Sequence, residues 1–161
     1  MRLHGDDAGA AVLYTALLLP TFLLLLAFVV ELGALRVARA RLVAAADLAA
    51  TMAVGEQDVA ALAADGHYHL APSAVSVARD MLARELAPLA AGFAAATPDA
   101  IAAAADVVAL EAGVADPRTG RTYAAPTVRI AFEAPLRTPL FVLAALREAT
   151  TLRIVASASA R

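Results

Sequence analysis

The chain has 161 residues, a formal net charge of −2 and 61% hydrophobic residues, with a mean hydropathy of +0.72. That length allows one ordinary domain, and less once a membrane segment is subtracted; the apolarity is too great for an ordinary soluble one. All the positive charge is arginine and no cysteine occurs, which excludes a disulfide framework, a thiolate zinc site and a thiol nucleophile, while the lack of a net basic balance or of an arginine run with interleaved aromatics points to no nucleic-acid partner.

The first element is apolar. From Ala8 to Val30 no residue carries a formal charge, and as a helix these roughly 23 residues would extend about 35 Å, enough to cross a hydrocarbon core of about 30 Å with some tilt. Leu17, Leu18, Leu19, Phe22, Leu23 to Leu26, Phe28, Val29 and Val30 are greasy all round rather than on one stripe, the pattern of lipid contact. Pro20 removes one backbone donor and is expected to bend the helix, which membrane helices tolerate. The length argues against a buried soluble-core helix. A cleaved secretory signal is the other reading, but the run exceeds a signal-peptide core and the nearest small-x-small site, Ala38-Arg39-Ala40, lies beyond Glu31 and Arg36. A membrane helix over 10–30, after a short leader over 1–9, is the favoured reading.

From Glu31 to about Ala64 the chain is rich in Ala, Leu and Arg, strong helix formers, with Gly33 and Gly55 as the weak points. The helix is therefore expected to continue out of the membrane over 31–64. Leu32, Leu35, Leu42, Ala46, Ala49 and Ala53 recur at helical spacing and make one face of mostly small residues, suited to close packing on the chain's own domain or on neighbouring subunits. Glu31, Arg36, Arg39 and Arg41 mark the water or headgroup boundary.

These landmarks carry a resemblance. Gly9, "LLLP" ending at Pro20, "VELG" from Val30 to Gly33, "ARARL" from Ala38 to Leu42 and "AAADLAA" from Ala44 to Ala50 follow one another without a gap. In order and spacing they resemble the N-terminal segment of the TadE/TadG-like family, pilin-like membrane proteins of Flp (tight-adherence) pilus assembly. The resemblance covers about a third of the chain and implies a structural or assembly role, as a minor pilin or pseudopilin, with an extracytoplasmic pilin-like domain. It also implies that prepilin-type processing, if it occurs, falls between Gly9 and Ala10. One position departs from the family: five residues after Gly9, where TadE-type members commonly carry Glu, stands Tyr14. The pattern without that Glu resembles the TadG-like branch, whose acidic residue comes late, as Glu31 does. Counted alone, the arginines after the span would keep the domain in the cytoplasm. The resemblance implies the opposite, and long translocated domains respond weakly to such charge.

The remainder, 65–161, is expected to form a small α+β domain. "DGHYHLAPSA" supplies a turn, and Ser73 is a candidate N-cap for a helix over 74–87 that Pro88 ends or bends. Thr97-Pro98-Asp99 offers a second helix start. After Asp106 to Val114 come the turn residues Asp116, Pro117 and Gly120, then a strand in which Val128, Ile130 and Phe132 alternate with Arg129, Ala131 and Glu133, giving one buried face. Prolines 135 and 139 bound a connection, "LFVLAALRE" suits a short helix, and Leu152, Ile154, Ala156 and Ala158 mark a final strand. The expected architecture is a long N-terminal transmembrane helix continuing into a domain with one or two short helices and an antiparallel sheet of about three strands.

Catalytic chemistry finds little footing. His67 and His69 with Asp65 are the one cluster of metal-ligand types, and an H-x-H in a turn without a third ligand of known position is a weak signal. Serines 73, 76, 157 and 159 lack a nucleophile-elbow context, and a phosphate loop of the lysine-bearing kind is excluded by the absence of lysine. No cofactor, metal or small-molecule substrate is expected, and no enzymatic activity. The expected partners are the lipid bilayer and pilin-like proteins, met by packing of the alanine-lined continuation of the helix on theirs. A membrane-anchored binding module unrelated to pili is the alternative, and co-purification with a pilus ATPase or platform protein discriminates the two.

Overall fold

The computed structural model describes residues 6–143 and 148–160. Helix α1 runs unbroken from Asp6 to Val54, with Pro20 inside it. It is followed by α2 (Val59–Asp65), α3 (Ala74–Leu86), a 3-10 turn over Ala87–Gly92 and α4 (Pro98–Ala104). Strands β1 (Asp106–Leu110) and β2 (Thr127–Arg137), the short helix α5 (Pro139–Leu143) and strand β3 (Ala149–Ser159) complete the chain. The expected α+β architecture is present: a long apolar helix, a few short helices and a three-stranded antiparallel sheet of order β1-β2-β3. Residues 144–147 of the expected "LFVLAALRE" helix, and residues 1–5 of the leader, lie outside the described residues.

Local chemistry accounts for most boundaries. The helix expected to run to residue 64 instead stops at Val54, where Gly55 follows and the Tyr68 hydroxyl donates to the Val54 carbonyl, one of the carbonyls a helix end leaves unpaired. A separate helix, α2, then starts on Asp58, whose carboxylate accepts from the backbone N–H of Ala60 and Ala61, both at 3.0 Å. It ends on Gly66 at φ +74°, a left-handed conformation that glycine adopts without Cβ strain. Thr97 caps α4 through Ala100 N–H at 3.2 Å, with Pro98 in the first turn. Ser73 does not cap α3 by its side chain: its hydroxyl donates instead to the Glu56 carboxylate at 3.3 Å.

The core lies where the second half of α1 packs on α3 and β3. Its buried stripe on α1 is Leu42, Ala45, Ala46, Ala49, Ala50, Ala53 and Val54, and α3 contributes Ala74, Ala78, Leu82 and Leu86 at four-residue intervals. Alanine on both helices permits close approach of the backbones, and Leu42, Leu82, Leu86 and Phe93 supply the bulk of the same core. Leu32, expected on this face, is exposed; Leu35 is half-buried.

Strand β2 departs from the simple alternation. Val128, Ile130 and Phe132 are buried as expected, but Arg129 and Ala131 on the opposite face are buried too. The segment between β1 and β2 folds back over that face and brings Asp116, fully buried, to Arg129. The Arg129 Nη2 to Asp106 Oδ2 distance is 2.9 Å. Its Nε stands 2.8 Å from Asp116 Oδ2, off the N–H direction, so that this contact is one of charge rather than an aligned hydrogen bond. The backbone N–H of Arg118, the Thr119 hydroxyl and the Arg129 charge hold the Asp116 carboxyl below its ordinary 3.8 against the opposing effect of burial. Strand β2 also continues through Pro135 to Arg137, where a connection was expected. It does so because β1 pairs only as far as Ala131; the Pro135 carbonyl turns away from β3 to accept from Ala94 N–H at 2.8 Å, so its missing N–H falls on that same unladdered side.

Candidate functional site at the membrane exit of α1

Helix α1 has two halves in different surroundings. From Gly9 to Val30 every side chain but the half-buried Ala27 is exposed, and the most apolar window reaches a mean hydropathy of 2.4 with none of it covered by the domain. This half is long and apolar enough to cross a membrane. From Glu31 onward one face is buried, and the stripe begins at Glu31 itself, which is 4% exposed. Glu31, Leu35, Ala38, Leu42, Ala45 and Ala49 follow at alternating steps of four and three, the period that keeps one helix face turned toward a packed partner.

A carboxylate buried beside an apolar span needs a donor. The donor comes from the far end of the chain: Glu31 Oε2 accepts from the backbone N–H of Leu140 at 3.2 Å, across 109 positions. Leu140 lies in the first turn of α5, where backbone N–H groups have no acceptor within their own helix, and Pro139 before it has no N–H at all. Glu31 therefore caps α5 from another element. One turn earlier on α1, Phe28 stacks on Phe141 with ring centroids 5.6 Å apart and planes inclined by 22°. Together the two contacts fasten the connection between β2 and β3 to α1 at the level where the apolar run ends.

The other residues singled out from the sequence are dispersed. Gly9, Ala10 and Tyr14 lie exposed on the first turns of α1, Gly9 with open space around it. Arg36 and Arg39 are exposed above Glu31, so the two arginines project from the helix while the acid turns inward. Leu42, Ala46, Ala49 and Ala53 are covered by the chain's own domain, and Leu35 is partly covered. The large apolar side chains that α1 leaves exposed beyond the span include Val37, Leu48 and Met52, on the side of the helix turned away from this core.

The histidine turn is held by charge. His69 Nε2 lies 2.8 Å from Asp65 Oδ2 and its Nδ1 3.4 Å from Glu111 Oε2. The hydrogen bond to Asp65, reinforced by the Glu111 charge, raises the His69 pKa above its ordinary 6.5. His67 donates its backbone N–H to Asp65 Oδ1 at 2.8 Å, and among the described residues no group of three His, Asp or Glu side chains could hold a metal ion. The turn joins α2 to the end of β1.

The docking of α5 on Glu31 is not among the features that the sequence alone announces. Its signal lay in the phase of the α1 stripe, which places Glu31 on the buried face if counted back from Leu42, Ala38 and Leu35, and in the proline-led apolar run starting at Pro139.

Residues 9–56 match the family model of the Flp pilus-assembly TadE/G-like proteins. No curated protein and no solved structure matches the chain. The family resemblance drawn from Gly9, Pro20, Glu31 and the alanine-rich stretch is thus shown over that segment, which coincides with α1 and the turn after it.

Proposed function

Starting from a TadE/G-like segment over residues 9–56 and a helix able to span a membrane, which together support membrane association and a role related to Flp pilus assembly, we propose that the protein is a single-pass minor-pilin or pseudopilin-type subunit. Its domain stands outside the cytoplasm and acts by surface contact rather than catalysis. The observation that carries the reading is the division of α1: one continuous helix is apolar all round where lipid would surround it and stripe-buried where it becomes the spine of a domain. A helix built this way transmits the position of the membrane to the domain without a flexible joint.

Contacts with pilin-like neighbours run along the face that the domain leaves open, Val37, Leu48 and Met52, rather than along the alanine face, whose members already pack on α3 and β3. Glu31 in this reading fixes the domain on its anchor, Arg36 and Arg39 sit at the headgroup level, and processing at Gly9 is not required for the anchored form. The test is a paired assay on the full chain in its native membrane. Leu48→Glu and Met52→Glu should leave membrane fractionation and protease resistance of the domain unchanged while abolishing co-purification with other pilus-assembly proteins. Retained co-purification in both variants would refute the lateral contact. Labelling of Ala124→Cys by a membrane-impermeant maleimide on intact spheroplasts tests the orientation, since Ala124 is exposed on the domain and the chain holds no other cysteine.

A further inference from the structure

Helix α5 sits at an unusual level for a domain element. Its first turn touches Glu31 through Leu140 N–H, and its Phe141 ring lies on Phe28, two residues inside the end of the uncharged run at Val30. With a rise of about 1.5 Å per residue, Phe28 to Glu31 covers about 4.5 Å along the axis, so α5 lies beside the last turn of the span rather than above it. Among the described residues, the exposed apolar side chains at this level are Phe28, Val29 and Val30 on α1 and Val142 on α5, with the exposed Arg137 and Glu148 flanking α5 on the strand side. The exposed arginines 36 and 39 follow further along α1, where lipid phosphates would meet them.

We propose that α5 is a second membrane contact of this protein, a short apolar wedge inserted at the boundary between headgroups and acyl chains. The partner is the lipid surface. Three observations commit the exposed face of α5 to lipid rather than to water or to another protein. Its exposed Val142 follows the Phe141 ring that lies on Phe28 and so extends the exposed apolar surface of α1, its depth is set by that ring stacked inside the apolar run, and the next exposed charge along α1, Arg36, has the sign that complements phosphate. Burial of Glu31 follows from this placement: a carboxylate at that depth is costly unless a donor from the same wedge meets it. The wedge would fix the tilt of the domain over the bilayer, which a single rigid helix, able to tilt as a whole, leaves free.

The inference rests on α1 spanning the membrane, and the experiment separates the two. The chain contains no tryptophan, so single substitutions give unambiguous fluorophores: Val142→Trp in the wedge, Leu24→Trp in the span and Ala124→Trp on the exposed far side of the domain. Val142 is exposed, so its replacement displaces no packed side chain. Each full-length variant is reconstituted into phosphatidylcholine and phosphatidylglycerol vesicles, with and without lipids brominated near the headgroup end of the acyl chains. Val142→Trp should emit to the blue of Ala124→Trp and lose about half of its intensity to brominated lipid, as expected for a side chain buried at the headgroup boundary. Water-like emission without quenching would overturn the wedge. Blue-shifted emission without quenching would overturn it too, because a protein neighbour, a second copy included, would then cover α5. Quenching of Leu24→Trp alone would leave the span standing while removing the wedge; quenching of neither would remove both.

Discussion

The two halves of α1 belong to one helix and obey opposite rules. Residues 9–30 are dominated by large side chains that leave no face polar, and among the described residues they stay exposed apart from half-buried Ala27 and the Phe141 ring on Phe28; residues 31–54 carry alanine on one side, and that side is covered by α3 and β3. The contrast teaches that helix length and propensity say little about surroundings. What separates the halves is side-chain size and angular distribution: bulk on all sides suits a fluid solvent of acyl chains, whereas a narrow stripe of small residues suits one close, fixed partner. The change falls at Glu31, where a charge is turned inward and met by the domain's own backbone.

That contrast can be broken most severely at Ala49, which is fully buried in the second half. Ala49→Arg should unfold the domain, a loss of about 4 kcal/mol or more from an overpacked and unpaired buried charge, while Leu24→Ala in the first half should leave domain stability unchanged. Limited proteolysis of membrane-inserted protein reads the difference; equal sensitivity of the two variants would contradict it. A smaller effect is expected at the border. Glu31→Ala leaves the Leu140 N–H without its acceptor and should cost about 1 to 3 kcal/mol, with Glu31→Gln recovering part of the loss because its carbonyl can still accept; denaturant melts of the reconstituted domain measure both.

The smallest effect belongs to the exposed histidine turn. The folded-state pKa of His69 is raised above 6.5 by Asp65 and then by Glu111, so protonated His69 contributes stability that is full below pH 6.5 and is lost as pH rises through the higher folded value. His69→Ala should remove that decline in the domain's stability above pH 6.5 and leave the melting of wild type and variant closest at alkaline pH. A variant that keeps the wild-type slope would show that another group is titrating.

The sequence was most informative where a single chemical rule acted. The apolar run, the cap at Thr97, the alternation of Ile154 and Ala156 and the family landmarks all depend on neighbours in sequence, and they are present in the fold. The misses share a cause, namely contacts between distant positions. Arg129 alternates like a solvent-facing residue, yet a turn led by Asp116 buries it. Glu31 looks like a boundary charge, yet Leu140 approaches it from 109 positions away. The end of α1 at Val54 depends in part on Tyr68 donating to its last carbonyl, a contact that composition did not disclose. In each case a polar group was satisfied by an element whose approach only the tertiary fold determines.

Because the chain lacks cysteine, the division of α1 can be measured directly with three single variants, Leu24→Cys, Leu48→Cys and Ala49→Cys, each purified and reconstituted alone into vesicles that are then opened and labelled by a water-soluble maleimide before and after urea. The division predicts that Leu48→Cys reacts in both conditions, Ala49→Cys only after urea, and Leu24→Cys in neither. Labelling of Leu24→Cys before urea, or of Ala49→Cys at the rate of Leu48→Cys before urea, would contradict it.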